Sequence, residues 1–229
     1  MNKAKITDIF FDLDHTLWDF DRNSMLAFQR VFLKHNINLD LTGFIKAYEP
    51  INFAYWKLFR EERVTKEELR RGRLIEAFTH FKMEFPLDEI DLLAESYIDE
   101  LPIDNHLFEG TIEVLEYLSE KYILHIITNG FHEVQNLKLR NSGISNYFKT
   151  ITTSEEVGLK KPNPVIFKKA MEKASVTPKQ SLMIGDTFEA DILGAEAVGM
   201  HTLFYNYRND EVPSKYRVVY NLPDIKKHL

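Results

Sequence analysis

Short apolar runs that end in polar residues recur along the chain, and stretches with helical periodicity lie between them. The apolar runs predict four β-strands, at Ile6–Phe11, Tyr122–Ile127, Ser181–Ile184 and Met200–Tyr205. The periodic stretches predict three helices, at Thr111–Glu120, Asn163–Ala174 and Phe188–Val198. Because strands that alternate with helices usually pair in parallel, the predicted fold class is α/β with a mostly parallel sheet.

The region between residues 19 and 102 has helical periodicity and no convincing strand. Its predicted helices include Ser24–Lys34, a helix that begins at the capping-box pattern Thr65–Glu68, and Leu87–Leu101. An all-helical block between the first strand and the rest of an α/β domain indicates an insertion. We therefore predict a core domain at 1–18 and 103–229 and an inserted all-helical domain at 19–102.

The composition is that of an ordinary soluble globular protein, with 44% hydrophobic and 28% charged residues among 229. A net charge of −6 without a long basic stretch argues against a nucleic acid polymer as partner. The sequence has no cysteine, which excludes disulfides, thiolate catalysis and cysteine metal sites. It shows no signal-peptide pattern and no bilayer-length apolar run, so we expect a cytoplasmic protein with no membrane partner.

Polar residues follow three of the predicted strands or lie in a nearby loop. They are Asp12 and Asp14 after the first strand, Thr128 and Asn129 after the second, Asp186 and Asp191 after the third, and Lys161 before the helix at Asn163. Each pattern alone is typical of a turn, a helix cap or a solvated side chain. Since open α/β sheets bind ligands at the carboxyl ends of their strands, we expect these residues to converge on one crevice.

The acidic residues of this set suit a hard divalent cation. Mg²⁺ in proteins commonly takes a few carboxylates together with waters and a substrate phosphate oxygen. We expect Asp12 and Asp186 to be direct ligands, joined by the backbone carbonyl of Asp14. Asp191 is either a further direct ligand or one that acts through water.

The same residues suit phosphoryl transfer. An aspartate carboxylate such as Asp12 can attack phosphorus and form an aspartyl-phosphate. A second carboxylate, Asp14, can protonate the leaving oxygen and then activate water. The cation, Lys161, the Thr128 hydroxyl and the Asn129 backbone N–H would neutralise the oxygens of the transferred group.

The set resembles the four motifs of the haloacid dehalogenase-like hydrolase superfamily, in the family's order. They are present as Asp12-Leu13-Asp14-His15-Thr16, Thr128-Asn129-Gly130, Lys161-Pro162, and Gly185-Asp186 with Asp191. The resemblance implies a Rossmann-like three-layer core and Mg²⁺ as cofactor. It also implies Asp12 as nucleophile, Asp14 as general acid/base, Thr128 and Lys161 as phosphate ligands, and Asp186 as a metal ligand. Members that dehalogenate lack an aspartate at the position of Asp14, so phosphate chemistry is implied here.

The inserted helices resemble the helical cap of that family, which closes over the site and selects the substrate. The stretch TLWDFDRN and the loop GLKKPNPVIF resemble a narrower branch of intracellular nucleotidases. This resemblance implies a nucleoside 5′-monophosphate as the small phosphorylated partner. We expect the protein to be a monomer or a homodimer. Aromatic residues are candidates for stacking on the base, and packing inside the cap is the alternative. They are Trp18 and Phe20, the main specificity candidates, with Tyr55, Trp56 and Phe59.

Other readings of the sequence stay open. A sugar-phosphate phosphatase or a β-phosphoglucomutase-like phosphomutase would share the four motifs and the cap. A receiver domain uses similar residues but is much shorter and has no helical insert. Arg70, Arg71 and Arg73 could reach an anion, but a solvated helix face is the favoured interpretation. His15 receives no role, and after Tyr205 the sequence predicts only a short final helix near Pro223–His228.

Overall fold

Six parallel strands form one sheet in the computed structural model, which describes residues 5–229. They are β1 (Asp8–Phe11), β2 (Ile123–Thr128), β3 (Phe148–Thr153), β4 (Ser181–Gly185), β5 (His201–Tyr205) and β6 (Val218–Val219). The order across the sheet is β3-β2-β1-β4-β5-β6, which places the first strand near the middle. All neighbouring strands pair in parallel, so the predicted α/β fold class is confirmed.

Helices supply most of the crossovers that parallel strands require. They are α1 (Phe20–Lys34), α2 (Leu41–Arg60), α3 (Lys66–His80), α4 (Leu87–Glu100), α5 (Thr111–Ser119), α6 (His132–Asn141), α7 (Ser154–Val157), α8 (Pro164–Ala174) and α9 (Gly194–Ala197). A π-helical segment, Phe188–Leu193, precedes α9. In the described part of the chain, no helix has both the length and the apolar character needed to cross a membrane.

The register of β1 with β2 and β4 places the carboxyl ends of these three strands at one edge of the sheet. Phe11 at the end of β1 pairs with Ile126 of β2 and with Ile184 of β4. The backbone N–H of Asp12 continues this ladder by donating to the Ile184 carbonyl at 2.9 Å. All four residues of β1 are buried, and its one charged residue, Asp8, lies 3.0 Å from His125. The residues that follow the central strands therefore emerge side by side.

The chain divides into two units, one containing residues up to Asp19 together with Asn105–Leu229, the other Phe20–Asp104. The second unit holds α1 to α4, and its core is aromatic. The ring of Phe28 lies 4.3 Å from that of Tyr97 and 4.6 Å from that of Tyr48, measured between centroids. Such ring pairs stabilise a fold beyond the burial of their area. A cap function for this unit stays a prediction.

The apolar-run pattern missed two strands and placed some boundaries differently. The segment FKTITT of β3 carries three threonines and a lysine, so it lacks an apolar run. β6 has only two residues, too few for any periodicity. The helix predicted over Phe188–Val198 is instead a π-helical segment followed by the short α9. The final helix is a 3₁₀ helix at Leu222–Lys227.

Candidate active site

The residues predicted for the site lie at the carboxyl edge of the central strands. Asp12 follows β1, Thr128 is the last residue of β2, and Asp186 follows β4. Lys161 lies in the loop between α7 and α8, and its side chain reaches the same edge. The structure therefore brings together residues that are more than 100 positions apart in the sequence.

The ammonium group of Lys161 is the centre of this arrangement. Its Nζ lies 2.6 Å from one oxygen of Asp12 and 2.7 Å from one oxygen of Asp191. It also donates to the backbone carbonyl of Ile127 at 2.8 Å, and the side chain is 3% exposed. Burial by itself lowers the pKa of Lys161, but the charges of Asp12 and Asp191 outweigh it and raise that pKa. The lysine therefore stays cationic.

Three buried aspartates form an acidic cluster around this lysine. Asp12, Asp186 and Asp191 place carboxylate oxygens within 4.8 Å of one another. Burial raises the pKa of Asp12 to about 7, with a further contribution from the charge of Asp191, although Lys161 opposes the shift. Burial and the charges of Asp12 and Asp191 raise the pKa of Asp186 well above its usual value. A divalent cation would stabilise the ionised forms of these oxygens, so the donor set fits Mg²⁺.

The side chain of Asn129 holds the Lys161 segment in place. Its amide nitrogen donates to the backbone carbonyl of Lys161 at 2.9 Å, and its amide oxygen accepts from the Lys161 backbone N–H at 2.8 Å. This pair of bonds joins the loop after β2 to the loop before α8. Asn129 is predicted to bind phosphate through its backbone N–H. Its side chain stabilises the position of the Lys161 backbone.

Two residues outside the predicted set contact Asp186. Thr16 donates to one of its oxygens at 3.3 Å, and Arg208 donates to the other at 3.1 Å. Arg208 also lies 3.0 Å from Nδ1 of His15, whose pKa is lowered well below its usual value, mainly by burial. Arg208 follows β5 at the same edge of the sheet. The convergence of strand ends is the signal that points to Arg208, because it lies just after the predicted strand that ends at Tyr205.

The Asp191 carboxylate fits into its position because residue 185, which lies against it in space, is glycine. A Cβ on Gly185 would lie 2.3 Å from the Asp191 carboxylate, so a larger residue would displace it. One Asp191 oxygen accepts from Lys161, and the other accepts from the backbone N–H of Thr187 at 2.9 Å. Asp191 lies in the π-helical segment, a geometry that is frequent at functional sites.

Gln135 of α6 is a site residue that the sequence pattern missed. Its Nε2 donates to Oγ1 of Thr128 at 2.6 Å and to one oxygen of Asp14 at 2.9 Å. The backbone N–H of Gly130 also donates to Thr128 Oγ1, at 3.1 Å. With two donors on this oxygen, the hydroxyl proton of Thr128 is left to be donated to another acceptor. A phosphate oxygen is such an acceptor.

Lys138, one turn further along α6, is the second residue that was missed. Its Nζ lies 2.6 Å from the other oxygen of Asp14, and its side chain is 2% exposed. The same ammonium lies 4.1 Å from the centre of a Trp18 ring. The spacing of Gln135 and Lys138 shows that they share one helix face. It does not show that this face meets Asp14.

Trp18 and Phe20, the predicted specificity residues, are both buried, with exposures of 0% and 7%. The indole N–H of Trp18 donates to Asn105 at 3.4 Å, and its ring lies against Lys138. Phe20 is the first residue of α1. A role of either ring in substrate choice stays a prediction.

The solvated-face interpretation of the arginine group is wrong for Arg73. This residue is 2% exposed, donates to the Asn52 side chain at 2.9 Å, and lies 5.1 Å from the ring centre of Tyr97. Arg71 is more exposed and pairs with Asp91 at 2.8 Å. The buried face of α3 includes Arg73 because aromatic rings accept its cation as a packing partner.

Known proteins with similar sequences and structures carry related activities. The sequence model of the family described as haloacid dehalogenase-like hydrolase matches residues 9–205. The pyrimidine 5′-nucleotidase PynA of Streptococcus pneumoniae is 32% identical over 200 residues, covering 86% of this chain and 83% of PynA. A glyceraldehyde 3-phosphate phosphatase of Methanothermobacter thermautotrophicus is 34% identical over 204 residues, covering 86% of this chain and 84% of that protein.

A solved structure matches nearly the whole chain. YfnB of Bacillus subtilis superposes with a TM-score of 0.89 at 28% identity, covering 98% of this chain and 99% of YfnB. The YfnB crystal structure is bound to magnesium and reveals interdomain movement. The match extends over both units of the chain.

Proposed function

The chain belongs to the haloacid dehalogenase-like hydrolases, and from that premise we propose that it hydrolyses phosphomonoesters through an aspartyl-phosphate on Asp12. The observation that carries the proposal is the buried Lys161 ammonium between Asp12 and Asp191. Phosphoryl transfer needs an in-line nucleophile and positive charge around the transferred group. The proposed nucleophile Asp12 and the cation of Lys161 lie together at this edge of the sheet, which supports the proposal.

The first half of the reaction uses the free oxygen of Asp12. Lys161 binds Oδ1, whereas Oδ2 has no hydrogen-bond partner within residues 5–229. As Oδ2 bonds to phosphorus, the bond from phosphorus to the leaving oxygen breaks, and Asp14 gives a proton to that oxygen. Lys161 and the hydroxyl proton of Thr128 stabilise the charge on the phosphoryl oxygens.

The second half returns the enzyme to its starting state. Asp14, now a carboxylate, takes a proton from a water molecule as the water oxygen attacks phosphorus. The bond between phosphorus and the Asp12 oxygen breaks, which releases inorganic phosphate and restores the Asp12 carboxylate. Asp14 thus holds the proton that it received until the next substrate binds.

The acidic cluster is the proposed magnesium site. Asp12 and Asp186 would hold the ion directly, with the backbone carbonyl of Asp14, and Asp191 would hold it directly or through water. When bound, Mg²⁺ supplies positive charge next to the phosphate and keeps the carboxylates ionised. The raised pKa values of Asp12 and Asp186 support this assignment, because such a cluster is incompletely neutralised by Lys161. The magnesium bound to YfnB also supports it.

We further propose nucleoside 5′-monophosphates as the substrate class. The activity of PynA supports this choice, whereas the phosphatase from Methanothermobacter thermautotrophicus keeps a sugar phosphate as the second candidate. The helical unit Phe20–Asp104 is the proposed cap that selects the substrate, and it is inserted directly after the segment that carries Asp12 and Asp14. Substrate selection by a separate helical unit would explain why proteins with the same core act on different phosphates.

A panel of phosphomonoesters tests the function and the substrate class together. We expect release of inorganic phosphate with Mg²⁺ present, and kcat/KM at least about tenfold higher for pyrimidine nucleoside 5′-monophosphates than for glyceraldehyde 3-phosphate, hexose phosphates, phosphoglycolate or phosphoserine. A higher value for a sugar phosphate would refute the nucleotide assignment and leave the phosphatase intact. Conversion of a hexose 1-phosphate into the 6-phosphate without free phosphate would identify a mutase instead.

Removal of the metal should abolish turnover reversibly. After treatment with EDTA we expect kcat to fall by about a hundredfold or more, and Mg²⁺ in excess should restore it. Mg²⁺ should also raise the unfolding temperature, since a ligand that binds only the folded state stabilises it. In the Asp186→Asn variant this thermal response should be much smaller. Full activity after exhaustive chelation would contradict the magnesium site.

A further inference from the structure

We propose that Gln135 and Lys138 are positioning residues that hold the Asp14 carboxylate for proton transfer, a role that presupposes the phosphomonoesterase reaction. Each oxygen of Asp14 receives a hydrogen bond from α6. Lys138 Nζ lies 2.6 Å from Oδ1, and Gln135 Nε2 lies 2.9 Å from Oδ2. Both donors come from one face of one helix, so the carboxylate cannot rotate without breaking at least one of the two bonds.

The two donors are themselves held firmly. Gln135 is 0% exposed, and the side chain of Lys138 is 2% exposed although lysine is a long and flexible residue. The Lys138 ammonium rests against Trp18, whose backbone N–H donates to the Leu13 carbonyl at 2.9 Å. The loop that carries Asp14 therefore folds back and supplies the surface on which the Lys138 cation lies.

The Gln135 amide points its nitrogen at Asp14. In the ionised form Asp14 offers only acceptors, so this orientation is the one that can hold the carboxylate. Oε1 of Gln135 is buried and accepts no hydrogen bond within residues 5–229, a cost that is borne only if the bonds of Nε2 are needed. A Cβ on Gly130 would lie 2.3 Å from Nε2 of Gln135. The glycine of Thr-Asn-Gly thus provides the space that this side chain occupies.

This arrangement matters because the Asp14 carboxyl group must be oriented towards the leaving oxygen when it donates its proton. Each carboxylate oxygen has two lone-pair positions, and α6 occupies one on each oxygen of Asp14. The remaining positions stay available for the proton that passes to the leaving oxygen as the bond to phosphorus breaks. A displacement of about 1 Å at a reacting group can lower a rate about a hundredfold. Gln135 also contacts Thr128, so one side chain sets both the proton donor and a phosphate ligand.

A purely structural ion pair is the alternative explanation of the Lys138–Asp14 contact. The two explanations differ in which substrates suffer when Lys138 is removed. An alkyl phosphate, such as a nucleoside 5′-monophosphate, needs a proton on its leaving oxygen, whereas p-nitrophenolate departs without one. Damage to positioning therefore affects the alkyl substrate selectively, and a general loss of structure affects both substrates alike.

The test compares kcat/KM for these two substrates in Lys138→Met. This parameter reports the steps up to the departure of the leaving group and is independent of the later attack of water. We expect kcat/KM for the best alkyl phosphate of the panel to fall about a hundredfold and that for p-nitrophenyl phosphate by less than about fivefold. Lys138→Arg keeps a cationic donor that can stack on Trp18, and it should recover most of the alkyl activity.

Two controls separate positioning from folding. Lys169→Met removes an exposed ion pair with Glu172 and should leave both substrates unchanged. In an Asp14→Asn background, Lys138→Met should add no further loss with the alkyl substrate, because nothing remains to be positioned. If Lys138→Met does not fold, Gln135→Met provides the test, with an expected fall of at least about tenfold in the ratio of alkyl to aryl kcat/KM.

The outcomes distinguish this inference from the proposed function. A wild-type protein that hydrolyses no phosphomonoester would overturn both. The positioning role alone would be overturned if the wild type hydrolyses phosphomonoesters but Lys138→Met lowers kcat/KM equally for the two substrates, or for neither. The same holds for Gln135→Met where it replaces Lys138→Met. A selective loss with the alkyl substrate that Lys138→Arg repairs would support it.

Discussion

Asp12→Asn should abolish turnover and leave the fold intact. An amide oxygen is a poor nucleophile, so no aspartyl-phosphate can form, and kcat should fall by at least about a thousandfold. In the wild type, Lys161 Nζ donates a hydrogen bond to Asp12 Oδ1 at 2.6 Å. The amide oxygen of asparagine can still accept this bond. The measurement is phosphate release from the best substrate, together with thermal unfolding in EDTA.

The electrostatics of the site set the expected sign of the stability change. Burial and the neighbouring Asp191 raise the pKa of Asp12 from 3.8 to about 7, despite the opposing charge of Lys161. A carboxyl group with a raised folded-state pKa contributes stability below pH 3.8 that is lost as the pH rises through about 7. Asparagine resembles the neutral acid at all pH values. At pH 8 without metal, Asp12→Asn should therefore unfold at the same temperature as the wild type or at a higher one.

A matched substitution at the other end of β1 provides the control. Asp8, the first residue of β1, is buried like Asp12, but its Oδ1 lies 3.0 Å from His125 Nε2, away from the acidic cluster. Asp8→Asn should keep kcat within about threefold of the wild type, whatever it does to stability. Substantial phosphatase activity in Asp12→Asn would refute the nucleophile assignment. A variant that is inactive because it is unfolded would be recognised by its melting curve.

The common edge of the site could be predicted because parallel strands end on the same side. Asp12, Thr128 and Asp186 each follow a predicted strand, so their proximity is a consequence of topology alone. Lys161 was harder to place, since a loop lysine is usually solvated. Its burial depends on Asn129, which pairs with its backbone at 2.8 and 2.9 Å. That contact crosses 32 residues of sequence and leaves no periodic signal.

The contacts of Gln135 and Lys138 with Asp14 could not be predicted from the sequence, for a related reason. Helical periodicity shows that Gln135 and Lys138 share a face, but a polar pair on a helix usually faces solvent. Here the face meets a loop that is more than 120 residues earlier in the chain. β3 was missed because its threonines interrupt the apolar run. The sequence thus predicts what alternation and strand ends determine, and it misses contacts that depend on tertiary packing.

Lys161→Met should destabilise the protein and make its stability depend more strongly on Mg²⁺ than that of the wild type. The substitution removes three hydrogen bonds, to Asp12, Asp191 and the Ile127 carbonyl, from a side chain that is 3% exposed. Breaking a buried ion pair on one side costs about 3–5 kcal/mol, because the partner charges stay buried. In EDTA we expect a loss of that size in the free energy of unfolding from urea titration. Saturating Mg²⁺ should recover much of it, by neutralising the same carboxylates.

Lys173→Met is the matched control for this prediction, because Lys173 makes the same kinds of contact at the surface. Its ammonium lies 2.7 Å from Glu156 and 2.8 Å from the Ile151 carbonyl, but its side chain is 39% exposed. Exposed pairs contribute about 0–1 kcal/mol, so the stability of this variant should stay close to that of the wild type with or without Mg²⁺.

Lys161→Met should also lower kcat by about a hundredfold or more, since the phosphoryl oxygens lose a cation. Equal stability of Lys161→Met and Lys173→Met in EDTA would contradict the view that Lys161 neutralises the cluster, because the buried carboxylates would then have to be neutral without it.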